Sequence, residues 1–178
     1  MRTDAIAMVP FNAVIRAATT DDAPAIAAIY HPFVARGAIS FELEPPDAAA
    51  IAARIEKVTA GHPWLVAEND DGDVIGYAYG TTFRSREAYR YTAETAIYLA
   101  PAARGTGMAD RLGQALHDEL RDRGFHTAVA VITLPNPPSV AYHERLGYRA
   151  VGILPEVGRK FDAWHDIGLW TLDLAADA

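Results

Sequence analysis

Apolar positions in this chain recur either every three to four residues or every second residue, and the switches between the two periods mark its elements. Val14–Ala18 reads as a short strand. Thr19, with Asp22 three residues on, opens a helix in the manner of a capping box with Asp in place of Glu. Ala23, Ile26, Ala27, Ile29, Tyr30 and Phe33 then keep helical spacing until Gly37. Ile39 to Glu44 is irregular or weakly extended. Pro45-Pro46-Asp47 starts a second helix with Ile51, Ile55 and Val58 on one face, closed at Gly61. Trp64–Glu68 and Val74–Phe83 form two strands around the hairpin turn Asn69-Asp70-Asp71-Gly72-Asp73. A link from Arg84 to Tyr91 leads to the strand of Glu94, which breaks at Pro101. Leu112, Leu116 and Leu120 give one face of a helix over 107–123, and Gly124 ends it. Thr127–Thr133 is a β-branched run suited to a strand buried on both faces. Asn136 begins a short helix that reaches Leu146. Two last strands, at about 148–156 and 166–174, are joined by a turn holding Trp164 and His165. The order βααβββαβαββ predicts one α/β domain with a mixed sheet. It spans 14–174, with 1–13 as a loosely ordered leader and 175–178 as a tail.

Composition narrows the chemistry. The chain has 178 residues, 51% of them hydrophobic, enough for one sizeable core. It has no cysteine, which removes disulfides, thiolate metal sites and a cysteine nucleophile. The six histidines have no metal-ligand spacing, and His31, His62, His117, His126 and His165 read as structural or surface residues. No metal is expected. The formal net charge of −7 lacks the basic footprint of a nucleic-acid binder. No apolar run has the length of a membrane span, and the first residues lack a signal-peptide core, so a cytoplasmic location is the default reading. Against this acidic background, Arg84, Arg86 and Arg90 cluster in one short segment.

The stretch Ala100-Pro101-Ala102-Ala103-Arg104-Gly105-Thr106-Gly107-Met108-Ala109 carries the sharpest signal. A small-residue loop with two glycines, leading into a helix start with free N–H groups, is suited to an anion. No Lys-Ser/Thr follows, so it is not a Walker loop. Its pattern Arg104-x-x-Gly107-x-Ala109 resembles the coenzyme A loop of the GCN5-related N-acetyltransferases. Tyr91-Thr92-Ala93-Glu94 before it resembles the phosphinothricin and methionine sulfoximine acetyltransferase branch of that family. Pro135-Asn136 to Gly147-Tyr148 and Val157-Gly158-Arg159-Lys160-Phe161-Asp162-Ala163-Trp164-His165-Asp166 are similar to the same branch. The resemblance covers roughly residues 14–174. It implies a mostly antiparallel, twisted central sheet flanked by helices, acetyl-CoA as cosubstrate, a small amino-acid-like acceptor and a homodimer.

Acetyl transfer from a thioester to an amine needs a base, because an α-ammonium with a pKa of about 8 must lose its proton. It also needs a donor toward the oxyanion and a proton for the thiolate. Read from the residues alone, Glu94 is either a solvated carboxylate at a strand end or a base whose pKa desolvation raises. The resemblance favours the base. It likewise places His143 where most relatives carry the tyrosine that protonates sulphur, and the phosphinothricin branch has histidine there. Tyr142 beside it reads as a core aromatic. The backbone of Ile97, Tyr98 and Leu99 is expected to hold the pantetheine arm as an added strand would. Arg104, Gly105, Thr106, Gly107, Met108, Ala109 and Asp110 are expected to wrap the pyrophosphate, with Asn136 and Ser139 on the arm. Asp110 is the discordant residue, since a carboxylate in a first helical turn stands near the anion.

For the acceptor, Arg84, Ser85 and Arg86 fall in the segment that contacts substrate in relatives, and Thr95 and Ala96 follow Glu94. Arginine forks suit carboxylate, phosphinate and sulfonyl oxygens. Phe41 and Phe83 are candidate pocket walls. Lys160, expected in a turn, is a further source of positive charge near the acceptor. The expected reaction is direct transfer to an α-amino group, as in phosphinothricin, methionine sulfoximine or methionine sulfone. Two alternatives stay open: another amine (an antibiotic, a polyamine or a protein N-terminus), or a non-catalytic acetyl-CoA-binding regulatory module.

Overall fold

The computed structural model describes residues 13–175. Strand β1 (Ala13–Ala17) leads through a 3₁₀ turn at Thr20–Asp22 into helix α1 (Ala23–Ala35), and α2 (Ala48–Thr59) follows. The Asp22 carboxylate accepts from the Thr19 N–H at 2.8 Å, which is the capping contact read from the sequence, and Arg16 also grips it. Strands β2 (Trp64–Asn69), β3 (Val74–Thr82) and β4 (Thr92–Leu99) form a meander. Then come α3 (Met108–Asp122), β5 (Thr127–Leu134), α4 (Pro137–Arg145), β6 (Arg149–Lys160) and β7 (Ala163–Asp173), the predicted order. The expected leader falls, apart from Ala13, outside the described residues; so does the tail after Ala175.

The seven strands lie in the order β1-β2-β3-β4-β5-β7-β6. Every pairing is antiparallel except β4 with β5. That parallel ladder is short, running only from Thr92↔Thr127 to Thr95↔Ala130. Beyond it β4 pairs with β3 alone, through Leu99, and β5 with β7 alone, through Leu134. The sheet therefore splits between residues 96–99 and 131–134, and unpaired backbone faces the gap.

Alternation along the strands assigns the two cores. Ala78, Ala93, Ala128 and Ala130 present small side chains to one face, and Met108, Leu112, Leu116 and Leu120 of α3 pack into them. Trp64, Val66 and Tyr77 stand on the other face under Ile26, Val34, Ile51 and Ile55 of α1 and α2. Burying each of these aliphatic side chains contributes about 2 kcal/mol. Along β4, Ala93, Thr95, Ile97 and Leu99 thus face α3 and α4, whereas Glu94, Ala96 and Tyr98 face α1 and α2.

The last hairpin differs from expectation. Its strands are longer, and its turn is Phe161-Asp162, both at positive φ (49° and 58°), so Trp164 and His165 lie inside β7. A two-residue turn of this hand matches strand twist, and here non-glycine residues adopt it. Gly158 lies inside β6, where a Cβ would run into the Phe41 ring.

Candidate active site at the split between two strands

The gap is lined by the segments that the sequence pattern singled out. A cavity of about 410 Å³ is bounded by Ile97, Tyr98, Leu99, Arg104, Ala109, Asn136 and Ser139, with Phe33, Ile39, Pro138 and Tyr142. A smaller one, about 70 Å³, shares several of these residues and reaches Thr95, Ala96 and His143. Seven of the expected cofactor residues thus converge on one cavity.

The loop before α3 has the backbone of an anion cradle. Gly105 (φ 74°) and Gly107 (φ 82°) hold the left-handed conformation that side chains resist, and Gly107 caps α3. The Thr106 hydroxyl donates to the Ala103 carbonyl at 2.8 Å, closing the loop on itself. Met108 is buried in the core by its side chain, so only its backbone is available to a ligand. Asp110 is discordant no longer. Its carboxylate accepts from Arg145 Nη2 at 2.7 Å and Nε at 3.3 Å, so it turns to α4 and leaves the helix start to its N–H groups. Tyr142 is more than a core aromatic: it walls the cavity, and its hydroxyl donates to the Ala109 carbonyl at 3.2 Å. Asn136 caps α4, its Oδ1 accepting from the Ser139 N–H.

Glu94 is half-buried opposite Thr81 and Val129, and burial alone raises its carboxyl pKa. His143 is buried, and its Nδ1 lies 2.8 Å from the Ser139 carbonyl. A carbonyl only accepts, so Nδ1 carries the proton, and the neutral ring has a bare Nε2. Burial lowers the pKa of His143, which favours that neutral form. The two candidates lie on opposite faces of the sheet, meeting only through the split.

The acceptor candidates are less gathered. Arg84, Ser85 and Arg86 are exposed between β3 and β4; Arg84 lies 5.2 Å from the Phe83 ring centroid. Arg90 sits over Tyr91 and near Glu87. Phe83 packs edge-on against Tyr89, and Phe41 lies against Gly158 and His165. Lys160 is a correction: it ends β6 rather than standing in a turn, and is 3% exposed. Its Nζ donates to the carbonyls of Val34 and Ser40, both at 2.7 Å, tying the end of α1 and the following loop to the last hairpin. Sequence reading gave no weight to His117 and Tyr148, which are bonded to each other in the core; helical and strand periods mark such residues only as buried.

Among the described residues, no cluster of three or more His, Asp or Glu side chains is placed to hold a metal, and no helix is long and apolar enough to cross a membrane. A split sheet with a glycine-capped helix start at its mouth, a half-buried carboxylate and a buried imidazole are the parts that acyl transfer from a phosphate-bearing donor calls for. The family model described as "Acetyltransferase (GNAT) domain" matches residues 15–169. The chain belongs to this family of acetyltransferases, whose acetyl donor is acetyl-CoA.

Several of its relatives act on small amino-acid-like compounds by name. The chain is 37% identical to the phosphinothricin N-acetyltransferase of Streptomyces viridochromogenes, covering 92% of this chain and 89% of that protein. It is also 37% identical to the L-methionine sulfoximine/L-methionine sulfone acetyltransferase of Pseudomonas aeruginosa, over 92% of this chain and 95% of that one. Among solved structures, a phosphinothricin acetyltransferase from Sinorhizobium meliloti in complex with acetyl-CoA superposes with a TM-score of 0.86. Identity to it is 37%, with 90% of this chain and 88% of that chain covered.

Proposed function

We propose that this protein transfers the acetyl group of acetyl-CoA to the α-amino group of a small amino-acid-like acceptor. Phosphinothricin, methionine sulfoximine and methionine sulfone are the acceptors its relatives' names point to. The observation that carries the reading is the half-buried Glu94 on β4, two residues before that strand parts from β5 at a split lined by Ile97, Leu99, Arg104 and Asn136. In the proposed mechanism the donor lies in the split. The N–H groups of Gly105 to Asp110 and the Arg104 guanidinium take the pyrophosphate, and the open edge of Ile97–Leu99 takes the pantetheine arm. Glu94 takes the ammonium proton, directly or through water, and the amine attacks the thioester carbonyl. A backbone N–H, that of Leu99 in this reading, polarises that carbonyl. Arg84 and Arg86 meet the acidic end of the acceptor, with Ser85 and Ala96 nearby; Thr95, expected beside them, instead turns its hydroxyl to Tyr148 on the α3–α4 side. The arginine cluster disfavours a polycationic acceptor.

A homodimer belongs to the same proposal. β6 is an edge strand and exposes Val151, Ile153, Leu154 and Val157, with Phe161 and Trp164 at the hairpin end. An open apolar edge of this length is suited to a second copy. Thiol release from acetyl-CoA across a panel of acceptors tests the function. Turnover with the sulfoximine, sulfone or phosphinothricin supports it. Tight acetyl-CoA binding with no turnover on any amine overturns it in favour of a regulatory module.

A further inference from the structure

A chain of buried hydrogen bonds crosses the α3–α4 layer and joins two cavities. At one end Thr95, 8% exposed, lines the small cavity of the split together with His143. The Thr95 hydroxyl donates to the Val129 carbonyl at 3.3 Å, a long bond, and accepts from the Tyr148 hydroxyl at 3.0 Å. Tyr148, 4% exposed, lies in turn 3.0 Å from His117 Nε2. At the far end His117 borders a cleft of about 750 Å³ between α3 and the β6–β7 strands, walled by Gln114, Asp118, Arg121 and Arg149. His117 Nδ1 has no hydrogen-bond partner among the described residues. Among the described residues only Trp64 Nε1 is a buried side-chain nitrogen or oxygen without a hydrogen bond. With Nε2 bonded to Tyr148, Nδ1 is the ring nitrogen left for water in the cleft that His117 borders.

We propose that Thr95, Tyr148 and His117 form a proton relay that brings a proton from this cleft to the sulphur of the departing coenzyme A. The inference rests on the function proposed above. His143 shares the small cavity, but its Nδ1–H is held by the Ser139 carbonyl at 2.8 Å and its Nε2 is bare, so the neutral ring offers the sulphur an acceptor, whereas the Thr95 O–H, held by Val129 at 3.3 Å, turns about its C–O bond toward the cavity. A thiolate needs a donor. Thr133, Asn136 and Ser139 also border that cavity, yet only the Thr95 hydroxyl continues through buried partners to a second opening.

The step balances. The N–C bond forms and the C–S bond breaks. The acceptor ammonium gives up two protons over the turnover, the first to Glu94, and both pass on to solvent. The thiolate takes one proton from the Thr95 hydroxyl. Thr95 is refilled from Tyr148, Tyr148 from His117 Nε2–H, and His117 Nδ1 takes a proton from water in the cleft; before the next turnover the two hydroxyls rotate back and the His117 ring turns over, which again presents an N–H to Tyr148 and a bare nitrogen to the cleft. Net release to solvent is one proton. The imidazole passes between its two neutral tautomers without charging, in keeping with a burial-lowered pKa of about 4.

The test compares His117→Ala and Tyr148→Phe with wild type under saturating substrates, with melting temperature as a check on folding. Both variants are expected to lose about tenfold or more in kcat while the KM for acetyl-CoA stays within about twofold. Added imidazole, which the open cleft admits, is expected to restore turnover in His117→Ala and to do nothing for Tyr148→Phe, where the break lies inside. A purely structural role predicts no rescue. Wild-type kcat in His117→Ala, or a loss that imidazole leaves in place, overturns the relay. If His117→Ala melts out, Tyr148→Phe decides alone: its ring still fills the core, so an unchanged solvent isotope effect and kcat overturn the relay. A wild-type protein that acetylates no acceptor overturns the function and the relay with it, whereas an active wild type matched by an equally active His117→Ala overturns the relay alone.

Discussion

The donor side and the proposed acceptor side of β4 are built by different means. On the donor side, the proposed binding groups are backbone. The unpaired edge at 96–99, the left-handed glycines and the N–H groups that open α3 are fixed by the fold. Side chains there serve to hold one another: Asp110 on Arg145, Tyr142 on the Ala109 carbonyl, Asn136 on the Ser139 N–H. On the acceptor side, exposed arginines on a link and a loop without regular structure take over. That loop is tethered instead of folded. Lys160 holds the Ser40 carbonyl, Tyr30 Oη lies 2.6 Å from Ser40 Oγ, and Glu42 pairs with Arg54 at 2.6 Å. One donor common to a family suits a backbone site, whereas an acceptor that differs between relatives suits side chains on tethered loops. Each prediction below acts on one side and is expected to leave the other little changed.

Glu94→Gln should have the largest effect, a loss of about a hundredfold or more in kcat with acetyl-CoA affinity unchanged, read by steady-state kinetics and by calorimetry. Full activity would remove Glu94 as base. The pH dependence gives an independent sign. Burial raises the Glu94 pKa above 4.5, and the base acts ionised, so kcat/KM should fall as pH drops through that raised value. The same linkage fixes the stability effect. A raised carboxyl pKa contributes stability below the unfolded value, and this is lost as pH rises through the folded one. At pH 7 the buried charge is a burden, and Glu94→Gln should melt no lower than wild type.

On the donor side alone, Gly107→Ala puts a Cβ where φ is 82°. Strain of about 1–2 kcal/mol, if the loop relaxes elsewhere, weakens acetyl-CoA binding by about tenfold. Acceptor KM should not move. A change in acceptor KM with acetyl-CoA binding intact would break the division between the two sides.

The legible part of the sequence follows the same division. The coenzyme loop and the strand order could be read because glycine spacing and apolar period report backbone conformation directly. The harmony of Asp110 with its helix could not, since it depends on Arg145, thirty-five residues away in another element. Lys160 was misplaced for a related reason. Gly158 and the aromatic residues after it resemble a turn, but the turn is made by Phe161 and Asp162 without glycine, and a buried ammonium between two carbonyls leaves no trace in periodicity. The His117–Tyr148–Thr95 chain is likewise a meeting of α3, the start of β6 and β4, which only the folded packing brings about.

Lys160→Met tests the tether. The change keeps the stem and removes the ammonium, leaving the Val34 and Ser40 carbonyls without their donor. A cost of about 2 kcal/mol is expected in denaturant unfolding. Because the released loop carries Phe41, acceptor KM should rise several-fold, about as much as one lost positioning contact, with a smaller change in acetyl-CoA affinity through Ile39, which borders the donor cavity. A variant that loses stability yet binds acceptor normally would make the tether structural only.

The smallest effects belong to Arg84→Ala and Arg86→Ala. Both side chains are exposed and neither touches a buried partner, so each exposed charge contributes at most about 1 kcal/mol, or about fivefold in acceptor KM. Screening gives the discriminating measurement. If the arginines meet an acidic acceptor, raising ionic strength should weaken wild type towards the level of the double variant and leave that variant nearly flat. The KM for acetyl-CoA, measured in the same series, should show a salt dependence common to wild type and variants, because its anionic groups meet Arg104 and the start of α3 on the other side. Equal salt slopes for the acceptor in wild type and double variant would take both arginines out of the site and move the search for acceptor recognition to the tethered loop.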